Sequence, residues 1–498
     1  MYAKTWGCVM LGIEARWVEI EIDINRGLPT FEIVGQPAAV VKESRDRIRS
    51  ALQNSGFEFP MRRITVNLAP AHFRKDGSLL DLPIAIGVLA ASKQIAYPKL
   101  NQILFAGELS LSGQIRPVPG ILTAALLARQ IQLMFIHPAE NNAEISSVSE
   151  LASGGFQSLS QLVSALLSDQ VNWSINTEIK RSLPGQKDSW QHLGIVGGRL
   201  ARRCLQVAAA GRHNLALVGP PGVGKTLLAQ ALREMLPPLP EEESLEVAQI
   251  YSATGLPVQK ILQGYPPVRA PHHTITPRGL VGGGSPIRPG EVTLAHRGLL
   301  FLDELPEFSK ESLNAIREPL ESKLISLHRS NQHVTFPADV QLVTALNLCP
   351  CGFHYFQPER CRCSARDVAR YLRPISGPIA DRIDLKIALA KPLWMESEQG
   401  NSGQFPVGIA EARLEIKERS ISDLEQRLPQ KGRQFLRTLA SQRQVSARGY
   451  FKLLSVASTI AALEGLETIT AEHLAEAWQY RWELSGPTGE EADRVVLY

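Results

Sequence analysis

Two runs constrain what this chain can fold into: Gly219-Pro-Pro-Gly-Val-Gly-Lys225-Thr226 and Leu299-Leu-Phe-Leu-Asp303-Glu304. The first has the G-x-x-x-x-G-K-[ST] spacing of a phosphate-binding loop. Its glycines let the backbone approach phosphates that a Cβ would hold off. The loop must open a helix, because helix N-terminal amides attract anions. Leu215-Ala-Leu-Val218 before it reads as the required strand, and Thr226 to Leu232 after it as the required helix. The second run is apolar and ends in two carboxylates, as the exposed end of a buried parallel strand does. Together they dictate an α/β core with a parallel sheet.

The residue types then dictate chemistry. Gly219, Pro220, Pro221, Gly222, Val223, Gly224, Lys225 and Thr226 would cradle ATP. Lys225 can reach the β- and γ-phosphates, and the Thr226 hydroxyl can sit on Mg²⁺. Asp303 would hold the same metal, and Glu304 would act as general base on the attacking water. Val340 to Asn347 reads as a further strand lying beside the Asp303 strand, so that Asn347 could orient the water or sense the γ-phosphate.

At 498 residues the length prior is about three domains. The net charge of +4 is too small to argue for nucleic acid by itself, so any such site must be a local stripe or pore. The apolar run from Leu82 to Ala91 is too short to cross a bilayer. Met1 to Gly7 lacks a charged region followed by an apolar core, so the expectation is no signal peptide and a cytoplasmic protein.

Periodicity divides the chain. Residues 1–165 read as an α/β domain, with a strand at Val18 to Ile24, a helix at Val40 to Gly56, a strand at Ile64 to Leu68 and a buried helix at Asp81 to Ala91. Residues 166–192 lose periodicity and read as a linker, 193–390 as the nucleotide core and 391–408 as a connector. The rest, 409–498, reads as a helical lid, with Arg448 to Leu463 amphipathic and Thr470 a helix cap.

Two inserts stand out in the core. Gly279 to Glu291 is rich in Gly and Pro and reads as a surface loop or an element aimed into a pore. Leu324 to Phe336 reads as strand, polar turn, strand, with His328, Arg329 and His333 at its tip available to phosphates; a plain solvated hairpin is the alternative. Cys349-Pro-Cys351 and Cys361-Arg-Cys363 offer four thiolates for a tetrahedral zinc ion. Disulfides are the alternative, and a reducing compartment disfavours them. Cys8 and Cys204 read as isolated packed residues, and the His272-His273 pair as packed polar structure, with ligands or nucleotide contacts the alternatives.

These features resemble the AAA+ ATPases, and within them the magnesium-chelatase-like group and its bacterial YifB/ComM family. The resemblance is carried by Gly27-Leu-Pro-Thr-Phe-Glu-Ile-Val-Gly-Gln-Pro37, Val66-Asn-Leu-Ala-Pro70, Ala208-Ala-Ala-Gly-Arg-His-Asn214, Arg269-Ala-Pro-His-His-Thr274 and Gly377-Pro-Ile-Ala-Asp-Arg-Ile-Asp384, among other runs covering nearly the whole chain. It implies an AAA+ core with a C-terminal helical lid, closing head to tail into a homo-oligomeric, hexameric ring. It gives Arg382 the arginine-finger position, acting on ATP in a neighbouring subunit, and Arg448 the second sensor position. It implies an ATP-driven DNA motor that promotes branch migration of recombination intermediates in natural transformation. Arg278, Arg288 and Arg329 are then the candidate DNA contacts. The alternative is an ATP-driven protein-remodelling motor of the magnesium-chelatase type.

Gly107-Glu-Leu-Ser-Leu-Ser-Gly to Gly120 is similar to the proteolytic (S5-type) domain of Lon proteases. Those enzymes activate a serine with a lysine. Here the serine's motif is altered around Ser78, and Leu122 stands where the lysine belongs. The expectation is a Lon-like fold without proteolysis, used for assembly or DNA binding.

Overall fold

The structure, a computed structural model, describes residues 1–175, 193, 198–285, 287–329, 332–375, 379–390, 408–417, 421–443 and 446–481. The chain forms two compact units, 1–182 with 241–264, and 183–240 with 265–498.

The first unit is built on an eight-stranded mixed sheet. Its strands are β1 (Tyr2–Leu11), β2 (Glu14–Asn25), β3 (Thr30–Val34), β4 (Arg63–Ala69), β5 (Ile103–Phe105), β8 (Met134–Pro138), β9 (Ala152–Phe156) and β10 (Ser174–Ile175), with a small ribbon of β6 (Glu108–Leu109) and β7 (Ile115–Arg116) beside them. The order is β10-β9-β8-β5-β1-β2-β4-β3. Strand β2 behaves as its alternation dictates: Val18, Ile20, Ile22 and Ile24 are buried while Glu19, Glu21 and Asp23 point the other way. Helix Asp81–Ala91 is buried on nearly every face, as its uniformly apolar sequence requires. Buried Asp81 receives Arg47 Nε at 2.7 Å and the Leu109 amide at 3.3 Å.

Two boundaries differ from the expected ones. Helix Leu159–Leu167 and β10 carry the first unit past residue 165. The remainder of the expected linker, 176–192, and the expected connector from 391 to 407 lie outside the described residues. More consequentially, residues 241–264, expected in the core, belong to the first unit. Helix Glu241–Thr254 packs on helix Ile121–Gln130, and the polar groups around Ser252 fix the contact. Ser252 O accepts from Gly120 N at 2.7 Å, and its Oγ accepts from Leu122 N at 3.3 Å and donates to Glu144 Oε2 at 2.9 Å. The core chain therefore leaves its own sheet after the phosphate-loop helix and returns for the next strand.

The second unit holds a five-stranded parallel sheet of β11 (Leu215–Val218), β12 (Val268–Arg269), β15 (Leu299–Leu302), β18 (Gln341–Leu346) and β19 (Leu385–Ala388), in the order β12-β15-β18-β11-β19. Strands β11, β15 and β18 are buried throughout, as parallel strands covered on both faces must be. The glycine-rich insert folds as helix Pro277–Val281 and a ribbon of β13 (Gly282–Gly283) and β14 (Arg288–Pro289). The second insert is the expected hairpin, β16 (Leu324–Arg329) paired with β17 (Gln332–Pro337). Beyond the sheet lie helices, among them Ala447–Leu463 and Ala471–Gln479; the latter is capped by Thr470, whose Oγ accepts from His473 N. Arg203 ties these helices to the core, reaching Glu464 at 2.7 Å and Glu476 at 2.6 Å. No described helix is long and apolar enough to cross a membrane.

Candidate nucleotide site and its surroundings

The loop Gly219–Gly224 joins β11 to helix Lys225–Met235 at the C-terminal edge of the parallel sheet. Gly222 and Gly224 have φ of 77° and 102°, backbone that other residues adopt only under strain. Pro220 and Val223 are buried beneath the loop, while Pro221 and Gly222 are exposed at its crown. Gly219 N donates to Leu346 O at 3.2 Å, tying the loop to β18.

Lys225 Nζ donates to Gly219 O at 2.7 Å, Pro220 O at 2.9 Å and Asn347 Oδ1 at 2.9 Å. Burial pulls the amine down to about 8, against the opposing pull of Asp303 and Glu304. Thr226 Oγ1 stands 3.5 Å from Asp303 Oδ2, so a hydroxyl and a carboxylate face each other where a divalent cation takes oxygen ligands. Glu304 has φ of 53° and its amide donates to Asp303 Oδ1 at 2.9 Å. The turn throws the two carboxylates in different directions. His273 Nδ1 lies 3.7 Å from Glu304 Oε2, its ring 4.1 Å from that of His272 and edge-on to Phe308. Lys225, Thr226, Asp303, Glu304 and Asn347 thus converge on one end of the sheet. The set can bind a metal-chelated triphosphate and polarise a water on it.

Arg382 and Arg448 lie elsewhere. Arg382 NH2 is 3.0 Å and Arg448 NH2 2.6 Å from the same oxygen, Glu321 Oε1. Arg382 O accepts from Asn214 Nδ2 at 2.8 Å, which places it at the N-terminal end of β11. The strand carries Gly219 roughly 16 Å away at about 3.3 Å per residue.

The four cysteines come together after β18. Their sulfurs all lie within 4.8 Å of one another, with Cys349–Cys351 at 3.3 Å, Cys351–Cys361 at 3.6 Å and Cys349–Cys361 at 4.0 Å. A tetrahedron of thiolates at about 2.3 Å from zinc has edges of about 3.8 Å. The donor set and its spacing therefore fit zinc, and all four thiols are free of disulfides. His354 N donates to Cys349 Sγ at 3.3 Å, support of the kind metal-bound thiolates receive. Gly352, at φ 86°, packs against the Pro221 ring, which sets the cysteine cluster directly on the phosphate loop. Cys8 and Cys204 are buried singly, as expected, and burial pushes the Cys8 thiol up to about 12.

Arg278 and Arg288 are both exposed and meet at Gly283. Arg288 pairs with Gly283 across the ribbon, and the Arg278 stem passes within 3.1 Å of where a Gly283 Cβ would stand. Arg329 ends β16, and its side chain lies outside the described residues. His328 and His333 face each other across the hairpin with ring centroids 4.3 Å apart. In the first unit Leu122 is buried, and Lys75 is buried with its amine on Pro70 O and over the Phe73 ring. Sequence reasoning did not single out Glu321 or Gly352; a carboxylate just before a hairpin and a glycine between paired cysteines were the available signals.

A parallel sheet with a phosphate loop, paired carboxylates and a polar residue at the end of the intervening strand defines a phosphate-loop ATPase. The comparisons agree. Residues 192–396 match the family described as magnesium chelatase, subunit ChlI; 20–141 match subunit ChlI of Mg-chelatase, and 408–481 its C-terminal part. The chain is 40% identical over 489 residues to competence protein ComM of Haemophilus influenzae, covering 95% of this chain and 96% of that protein. It is 39% identical over 487 residues to the uncharacterized protein YifB of Salmonella typhimurium, covering 95% of each. For YifB of Escherichia coli the identity is 36% over 492 residues, again 95% of each. The chain belongs to this ComM/YifB family of magnesium-chelatase-like ATPases.

Proposed function

We propose that this protein is the subunit of a ring-forming, ATP-driven DNA motor that promotes branch migration of recombination intermediates, in a role related to natural transformation. The observation that carries the reading is the placement of Arg382 and Arg448. They share one carboxylate oxygen, Glu321 Oε1, and the Arg382 carbonyl accepts from Asn214 at the start of β11, which supports a role for them at a neighbour's nucleotide. Arginines that must act on a neighbour require a head-to-tail interface, and such an interface gives a ring when the rotation between subunits closes. Arg382 is then the finger that stabilises charge on the transferring phosphoryl group, and Arg448 assists it.

Within each subunit, Lys225 and the loop amides hold the phosphates, Thr226 and Asp303 hold Mg²⁺, Glu304 activates the water and Asn347 orients it. The metal supplies neutralisation of the phosphate charge. Zinc on the four cysteines is structural and braces the loop through Gly352 and Pro221. Arg278 on helix Pro277–Val281 and Arg288 on the adjoining ribbon, both exposed beside Gly283, and Arg329 on the hairpin contact the DNA backbone. The competence designation of the Haemophilus relative supports the setting.

The first unit is read as a Lon-like fold without proteolysis. Ser78 has no lysine partner among the described residues: Leu122, which the resemblance sets in the lysine's place, is buried, and Lys75 engages Pro70. ATP-dependent cleavage of an unfolded protein, lost in Ser78→Ala, would contradict this.

The test of the motor is ATP-dependent branch migration of a labelled three- or four-strand junction, with Glu304→Gln as the control. Exchange by the wild type alone is expected. Absence of exchange, with ATP turnover indifferent to DNA, would instead point to a protein-remodelling motor.

A further inference from the structure

Glu321 is the residue that brings the two arginines together. It stands in the short helix Pro319–Ser322, and the segment around it is tightly tied. Ser322 Oγ is 3.0 Å from Glu318 O and 2.9 Å from Leu324 O. Lys323 turns the chain at φ 58°, and its carbonyl accepts from Ala338 N at 2.7 Å, closing the base of the hairpin. The carboxylate is therefore carried on a well-fixed support. Arg382 is fixed a second time, its Nε donating to Arg317 O at 3.1 Å. Arg448 lies in the first turn of its helix, whose cap Ser446 accepts from Gly449 N at 3.1 Å.

Two guanidinium groups repel each other, and one carboxylate oxygen draws both to itself. The triad keeps a net positive charge. Arg448 and Glu321 are both exposed, with side chains 52% and 40% accessible, so their pairing contributes little to stability. Its effect must lie in placement. Guanidinium recognises carboxylate and phosphate with the same fork geometry, so a carboxylate that gathers two arginines holds them ready for a phosphate.

We propose that Glu321 is a positioning residue of the ATPase, setting Arg382 and Arg448 side by side for the triphosphate bound by a second copy of this chain. The proposal rests on the reading, given above, that the arginines act on a neighbour.

Mixed rings test it. Lys225→Ala subunits bind no phosphate but carry intact arginines, and Arg382→Ala subunits carry an intact loop but no finger. Each alone is inactive, and their mixture recovers turnover where a Lys225→Ala subunit faces an Arg382→Ala nucleotide. Placing Glu321→Gln on the Lys225→Ala subunit should lower the recovered kcat on the order of 10²-fold, the cost of misplacing a catalytic group by about 1 Å. The melting temperature and the KM for ATP should stay unchanged, which a purely structural role would not predict. Equal recovery with and without Glu321→Gln overturns the proposal and leaves the finger reading standing. No recovery even with Lys225→Ala alone overturns both. If Glu321→Gln lowers the melting temperature, Glu321→Asp on the same subunit decides the matter. It keeps the charge on a shorter stem, and undiminished recovery there with a lowered melt would assign Glu321 to the fold alone.

Discussion

Lys225 Nζ donates to Asn347 Oδ1 at 2.9 Å, so the phosphate-loop lysine and the end of β18 are joined across adjoining strands. The contact makes Asn347 a reporter of what Lys225 does. When phosphate draws the lysine, the amide carbonyl loses a donor and is free to accept from water.

Asn347→Ala should therefore lower kcat on the order of 10²- to 10³-fold, as loss of one preorganised polar group does, with a much smaller change in KM. Steady-state ATPase kinetics on the purified variant measure both. A rise in KM with kcat intact would assign Asn347 to ground-state binding instead.

The second prediction concerns protons. The Lys225 amine lies at about 8, below its ordinary 10.5, because burial disfavours the charged form. Phosphate favours that form. Near pH 8 ATP binding should therefore take up roughly half a proton per site, and almost none near pH 6.5. Affinity should fall as pH rises above 8. Calorimetric titration in buffers of different ionisation enthalpy reads the uptake, and identical heats across buffers at pH 8 would contradict it.

The local parts of this site were legible in the sequence because local rules fix them. Alternation predicted β2, the glycine spacing predicted the loop, and the apolar run ending at Asp303 predicted the end of β15. The hairpin at 324–337 and the cap at Thr470 follow from equally short patterns. What the sequence withheld depends on distant partners. Residues 241–264 look like any core helix pair, yet Ser252 bonds to Gly120 and Glu144, and the segment belongs with them to the first unit. Pro237-Pro238-Leu239-Pro240 before them and Tyr265-Pro266-Pro267 after them were the marks of a departure. Glu321 was equally silent, since an acidic residue on a short helix gains its meaning only when Arg382 and Arg448 arrive from elsewhere in the chain.

Gly352 tests the link between the cysteine cluster and the nucleotide. A Cβ there would meet the Pro221 ring, and φ of 86° strains any L side chain. Gly352→Ala should raise the KM for ATP while the protein still holds zinc, about one ion per chain by native mass spectrometry. Cys361→Ser should lose the ion and raise the KM as well. A metal-free protein with unaltered KM would separate the cluster from the nucleotide site.

Ser252 tests the unexpected boundary. Ser252→Ala leaves Leu122 N and the half-buried Glu144 without their hydroxyl partner. The expected loss is about 1–2 kcal/mol in the first unit. Thermal unfolding should show that unit's transition moving down, while ATP affinity, which belongs to the second unit, stays in place. An unchanged melt would mean that the helix Glu241–Thr254 is not needed to hold the first unit together.

The DNA reading is the most exposed to test, because electrostatic contacts have a countable signature. Each phosphate contact on duplex DNA releases counterions and contributes about 0.9 to the slope of log affinity against log salt. Arg278, on the helix before the ribbon, and Arg288, on the ribbon, lie on either side of Gly283, so they should act together. Arg278→Ala or Arg288→Ala should each shallow the slope by about 0.9, and the double variant by up to about 1.8. Basal ATP turnover should hold while its stimulation by DNA falls. Fluorescence anisotropy across a salt series gives the slope directly. Unchanged slopes in both single variants would remove the ribbon from the DNA path and leave the hairpin as the element to test.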